Sequence, residues 1–112
     1  MSLITYEEFD RIDLRVGTII DVQPFPEAKK PAYKLTIDFW HDIGIKRSSA
    51  QITHHYTVEQ LLGKQVMCVI NFPPKQIGPF MSECLTTWFA DEQWHIVLIH
   101  PERPVPNGQK LF

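Results

Sequence analysis

Tyr33-Lys34-Leu35-Thr36-Ile37-Asp38-Phe39 alternates large apolar side chains with polar ones. A period of two turns one face of an extended chain toward a core and the other toward water, so the stretch reads as a half-buried β-strand. Its wet face carries Lys34 and Thr36. Upstream, Val16 to Val22 is β-branched apart from Gly17 and Asp21, and it ends where Pro24 and Pro26 remove ladder donors. It predicts a strand followed by a rigid loop, with Gly17 marking a bulge. Downstream, Asp42-Ile43-Gly44 supplies turn chemistry, and Ile45 to Ile52 resumes as a polar-faced strand, which gives a hairpin.

Two short helices frame these strands. Thr5 and Glu8 have capping-box spacing, predicting a helix over Tyr6 to Arg11 with Phe9 and Ile12 on its buried stripe. Thr57 and Gln60 repeat the box, Val58, Leu61 and Leu62 give a helical stripe, and Gly63 occupies the left-handed stop. Gln65 to Phe72 then reads as a strand buried on both sides, ending at Pro73-Pro74. Cys84 to Ala90 and Trp94 to His100, split by Asp91-Glu92-Gln93, predict a closing hairpin. After Pro101 the proline-rich tail cannot be an interior strand, and Leu111-Phe112 either frays or docks onto a groove or a second subunit.

The order is helix, three strands, short helix, then a strand and a hairpin. That is the order of the OB-fold, an all-β, five-stranded Greek-key barrel, here with a short N-terminal helix and a short helix between strands 3 and 4. At 112 residues the chain is expected to be one domain, spanning 1–112. An apolar content of 44% excludes disorder, and nine prolines argue against a helical bundle. The apolar runs Val66 to Ile70 and Ile96 to Ile99 are far below the roughly 18 residues of a membrane span. The start, Met1-Ser2-Leu3-Ile4-Thr5, has no export signature, so a cytoplasmic protein is expected. Cys68 and Cys84 are then read as buried thiols.

Charge is uneven along the chain. Residues 1–28 set Arg11 and Arg15 against six carboxylates, a net of −4. Residues 29–75 carry Lys29, Lys30, Lys34, Lys46, Arg47, Lys64 and Lys75 against Asp38, Asp42 and Glu59, a net of +4. An OB-fold binds oligonucleotides on strands 2 and 3 and in the loops after strands 1 and 4, which is where the basic segment maps.

No nucleophile motif, phosphate-cradling glycine loop or recognised metal spacing occurs, so no enzyme activity, cofactor or metal is expected. The histidines are His41, His54, His55, His95 and His100; adjacent His54 and His55 in an extended chain would point to opposite faces. The segment from Asn71 to Ser82 has the features of a binding loop: prolines fix its shape, Lys75 offers charge, and Asn71, Gln76 and Ser82 offer hydrogen bonds. Phe80 and Met81 are either adaptable binding surface or a plug for the barrel's end.

Five stretches carry a resemblance: Asp13-Leu14-Arg15-Val16-Gly17-Thr18-Ile19, Lys29-Lys30-Pro31-Ala32-Tyr33-Lys34-Leu35, Ser48-Ser49-Ala50-Gln51-Ile52, Asn71-Phe72-Pro73-Pro74-Lys75-Gln76-Ile77 and Arg103-Pro104-Val105-Pro106-Asn107-Gly108. On these the chain resembles the tRNA-binding domain family, OB-fold modules appended to some methionyl- and phenylalanyl-tRNA synthetases and also found as free-standing dimers. Within it, the second, fourth and fifth stretches resemble a secretion-associated, chaperone-like branch. The resemblance implies a homodimer with the N-terminal segment and the tail near the interface, binding tRNA and unfolded or precursor polypeptides. It assigns RNA contacts by position to Ser48, Ser49, Gln51, Asn71, Lys75 and Ser82, and by charge to Lys29, Lys30, Lys34, Lys46 and Arg47. Polypeptide capture would use Phe25, Phe72, Phe80 and Met81. The synthetase-linked relatives usually carry two basic residues and a following glycine-serine element in the loop after strand 4; here Gln76 and Glu83 dilute the charge, and Gly78-Pro79-Phe80-Met81-Ser82 preserves only the gist of that element.

Overall fold

The structure, a computed structural model, describes residues 1–40 and 42–112; His41 lies outside the described residues. The elements run α1 (Tyr6–Asp10), β1 (Leu14–Pro24), β2 (Tyr33–Asp38), β3 (Ile45–Ala50), α2 (Val58–Leu61), β4 (Gln65–Val69), β5 (Lys75–Ile77), β6 (Phe80–Ser82), β7 (Leu85–Thr86), β8 (Trp88–Ala90) and β9 (Ile96–Leu98). Five strands make one antiparallel sheet in the order β3-β2-β1-β4-β7, and β5-β6 and β8-β9 form separate two-stranded ribbons. The sheet curls into a nearly closed barrel of OB type. Its two edges meet where the Ser48 and Thr86 hydroxyls lie 2.8 Å apart and the Glu83 N–H donates to the Arg47 carbonyl at 2.8 Å.

β1 serves both halves of the barrel, pairing through Leu14 to Thr18 with β4 and from Thr18 onward with β2. A strand that changes partners must bend, and the irregularity falls between Ile19 and Asp21 rather than at Gly17. Gly17 answers a different need. A Cβ there would lie 2.6 Å from Ile37 Cγ2 and 2.8 Å from Phe39 Cδ1, so the missing side chain lets β1 close on the core.

The barrel interior holds Ile19, Leu35, Ile37, Phe39, Ile52, Leu61, Val66 and Cys68. Both predicted capping boxes form. α2 is one turn long and brings fully buried Leu61 against the core, a burial that contributes about 1.5–3 kcal/mol. α1 departs from expectation: none of its residues is buried, and Ile12 beyond it is exposed. Phe9 is only half-buried, in a shallow hollow shared with Phe112, so the one-turn helix keeps most of its apolar stripe in water.

The predicted closing hairpin divides in two. β7 completes the barrel beside β4, Thr87 donates twice to the Met67 carbonyl, and β8-β9 continues as a separate ribbon. The tail lies along the first half of β1 through the Gly108 and Leu111 amides and the Gln109 carbonyl, with a single bridge between Arg15 and Lys110. Its end is therefore held, while Phe112 stays fully exposed.

Candidate nucleic-acid interface

Residues directly opposite in an antiparallel ladder share a face. Lys34 faces Ser49 and Thr36 faces Arg47, so these four stand on the outer surface of β2 and β3, while Leu35 and Ile37 point into the barrel. The segment after β4 folds back over that surface as the β5-β6 ribbon, in which Lys75 is opposite Ser82 and Ile77 opposite Phe80. The Ser49 N–H donates to Ser82 Oγ at 3.4 Å, and the Arg47 N–H donates to Glu83 Oε1 at 3.0 Å.

A second small core lies between ribbon and strands. Phe25, Ala32 and Phe80 are buried there against Ala28 and Ile77, with the Phe25 and Phe80 rings 5.4 Å apart. Lys34 Nζ stands 5.5 Å from the Phe25 centroid and Arg47 Cζ 4.4 Å from that of Phe80. Each cation–π contact contributes about 0.5–1 kcal/mol and holds its cation over a defined spot while leaving hydrogen-bond donors for a ligand.

The remaining expected residues separate into groups. Lys29 and Lys30 are exposed on the β1–β2 loop, and Gln51 is exposed just past β3. Lys46 is opposite inward-facing Ile37, so it belongs to the other face of β3 from Arg47. Ser48 is 1% exposed and committed to Thr86, which makes it a core residue rather than a contact. Asn71 is engaged at both ends, donating to the Arg11 carbonyl at 2.6 Å and accepting from the Asp13 N–H at 3.0 Å. Its amide pins the N-terminal segment. The face is also less cationic than the sequence implies, because the carboxylate of Asp21 lies opposite Thr36 beside Gln23 and that of Glu83 accepts from the Arg47 backbone N–H.

Of the residues expected to take polypeptide, Phe25 and Phe80 are 3% and 2% exposed: they fill the small core under the ribbon and offer no surface. Phe72 and Met81 remain open. Phe72, Pro73, Lys75, Ser82, Cys84 and Leu85 line a groove of about 280 Å³. Cys68 and Cys84 are free and buried, and the Cys68 thiol is raised by its hydrogen bond with Cys84 and by burial.

A second apolar groove, about 370 Å³, runs between the start of β1 and the tail, lined by Leu14, Val16, Met67, Val105 and Leu111 among others. Phe112 also borders the hollow beside Tyr6 and Phe9 of α1. No helix among the described residues is long and apolar enough to cross a membrane.

A family described as "Putative tRNA binding domain" matches residues 14–110, which contain the whole barrel, both ribbons and most of the tail. The chain belongs to the tRNA-binding domain family. Chaperone CsaA from Bacillus anthracis str. Ames, a crystal structure, is 42% identical with a TM-score of 0.91, over 99% of this chain and 100% of that one. The CsaA chaperone protein from Picrophilus torridus is 46% identical with a TM-score of 0.90, over 98% and 100% respectively. Methionine–tRNA ligase from Nanoarchaeum equitans is 33% identical over 112 residues, 98% of this chain but 14% of the ligase. The chain thus spans about one seventh of that curated relative and the full length of the two CsaA structures.

Sequence reasoning located the basic strands and the loop but missed the second core that organises them. Phe25 and Phe80 are 55 positions apart with no shared periodicity, and the one available signal is the pair of proline-bounded loops that hold them. Glu83 gave no signal of its position over β3.

Proposed function

We propose that this chain is a non-enzymatic tRNA-binding homodimer with chaperone-like activity, working in the cytoplasm. The observation that carries the RNA reading is the strip in which Lys34 and Arg47 bracket the Phe25–Phe80 pair while Ser49 and Ser82 join β3 to the ribbon bearing Lys75. Such a strip supplies cations for phosphates and fixed polar groups to set position. Exposed Lys29 and Lys30 extend it along the β1–β2 loop, a place where OB-folds take oligonucleotides. Family membership supports the same partner.

Dimerisation is supported by the apolar surface along the tail and α1: Leu3, Ile4, Tyr6, Leu111 and Phe112 are all exposed. A second copy covering them would remove the least soluble part of the molecule from water. The experiment is size-exclusion chromatography with and without total tRNA at two salt concentrations. A dimer-sized species that co-elutes with tRNA only at low salt is the expected result; a monomer, or tRNA retention indifferent to salt, rejects the reading.

A second activity, capture of unfolded or precursor polypeptide in a protein-secretion role, is favoured by the groove beside Phe72 and Leu85, side chains 55% and 46% exposed. The likeness to two full-length CsaA chaperone structures supports the same reading. Binding there buries apolar surface, so it should be nearly independent of salt.

A further inference from the structure

Thr53 to His55 forms a turn after β3, and across from it the β8-β9 ribbon carries His95 just before β9. The His54 and His95 rings stack with centroids 3.4 Å apart and planes 13° from parallel. The His55 ring stands edge-on to them, at 4.9 Å from His54 and 5.6 Å from His95. One ring nitrogen from each of the three lies within 4.8 Å of the others. The expectation that His54 and His55 point apart fails because they occupy a turn, where side chains do not alternate.

Two further observations point to a ligand. Among the described residues His95 Nδ1 is a buried polar atom with no hydrogen-bond partner, and an orphaned buried nitrogen costs free energy unless something coordinates it. His55 Nε2 is 2.7 Å from Asp91 Oδ2, which leaves Nδ1 of that ring to face other partners. A carboxylate on the far nitrogen is the usual device for fixing the tautomer of a metal-binding imidazole. Asp91 is itself fixed, because Oδ1 accepts the Gln93 and His95 N–H groups, each at 2.9 Å.

We propose that His54, His55 and His95 bind a divalent transition-metal cation of the zinc type, with Asp91 orienting His55. Imidazole nitrogens suit such cations rather than magnesium or calcium. Zinc–nitrogen distances of about 2.0–2.1 Å around a tetrahedral ion set the nitrogens about 3.4 Å apart. Because the His54 and His95 planes lie 13° from parallel and a ring nitrogen's lone pair lies in its plane, exposed His54 must swing out of the stack for the two to converge on one ion. The two walls are already joined: the Leu98 N–H donates to the Tyr56 hydroxyl at 3.0 Å, and Tyr33 donates to the Tyr56 carbonyl at 3.0 Å. The ion would pin the β8-β9 ribbon to the turn after β3, across 40 residues of sequence, and so raise the melting temperature by mass action. No residue of this site belongs to the strip on β2 and β3, so the proposal stands or falls independently of RNA binding.

Isothermal titration of the tag-free full chain with zinc chloride tests it. One zinc per chain at micromolar affinity or tighter is expected. His54→Ala and His95→Ala should each weaken binding by about 100-fold or more, and Asp91→Asn by about 10–100-fold. Cys68→Ser and Cys84→Ser should bind as the parent does, which separates this site from the thiols. Because His95→Ala removes a part-buried side chain, exposed His54→Ala, checked for folding by circular dichroism, decides. Absence of stoichiometric binding at millimolar zinc, or full binding by folded His54→Ala, overturns the proposal.

Discussion

The Ser48 and Thr86 hydroxyls lie 2.8 Å apart inside the barrel, each residue 1% exposed, and join β3 to β7, the two edges of the five-stranded sheet. A barrel closes only if its edge strands find partners, and here a side-chain bond stands where ladder bonds run short. Removing one hydroxyl leaves the other buried with little to bond. Thr86→Val should cost about 1–3 kcal/mol by urea denaturation. The double variant with Ser48→Ala should recover most of that loss; simple additivity of the two costs would show that the hydroxyls do not depend on one another.

Gly17 and Gly44 make a matched contrast. At Gly17 the obstacle is space, since a Cβ would strike Ile37 and Phe39, and Gly17→Ala is expected to cost about 1–3 kcal/mol or more by overpacking. At Gly44 the obstacle is a φ of 73°, with no described residue within 4 Å of an added Cβ, so Gly44→Ala should cost about 1–2 kcal/mol from backbone strain. Thermal melts of both, with β2-β3 pairing followed by NMR, distinguish the two origins.

Salt dependence tests the proposed RNA contact of the strip. If a dimer neutralises about five phosphates, log affinity for tRNA falls against log salt with a slope of about −3.5 to −4.5. Lys75→Ala should flatten that slope by about 1 for each copy in contact, whereas Ser48→Ala should leave it unchanged. A slope near zero in the parent protein would remove the basis of the RNA reading.

Polypeptide capture is best probed at exposed positions. Phe80→Ala would delete a buried ring at an expected cost of about 3–5 kcal/mol, confusing folding with binding. Phe72→Ala, at 55% exposure, should weaken capture of an unfolded client in a fluorescence assay while tRNA retention persists. Equal loss of both ligands would mean that groove and strip are one surface.

The tail predicts its own test. Removing Leu111 and Phe112 deletes the exposed apolar end that borders both the α1 hollow and the groove beside β1. Sedimentation velocity should then show a shift from dimer toward monomer. An unchanged dimer would place the seam elsewhere.

The fold was legible in the sequence because its signals are local. The alternation from Tyr33 to Phe39, the capping boxes at Thr5 and Thr57 and the prolines after β1 and β4 each act over a few residues, and together they order the elements of the barrel. Hydrophobic period and turn chemistry also placed Lys34 and Thr36 on the wet side of β2.

Which side chains meet was decided only by the tertiary structure. Arg47 and Lys46 are adjacent and equally basic in sequence, yet register turns one over Phe80 and the other to the opposite face of β3. Ser48 and Ser49 divide the same way, one into the core and the other onto the outer face opposite Lys34. His54 and His95 stack across 41 positions because barrel closure brings a turn and a ribbon together. Local periodicity fixes the face of each residue, whereas contacts between distant segments depend on the bend of β1, the bulge after Ile19 and the closing of β3 on β7, none of which a single stretch of chain encodes.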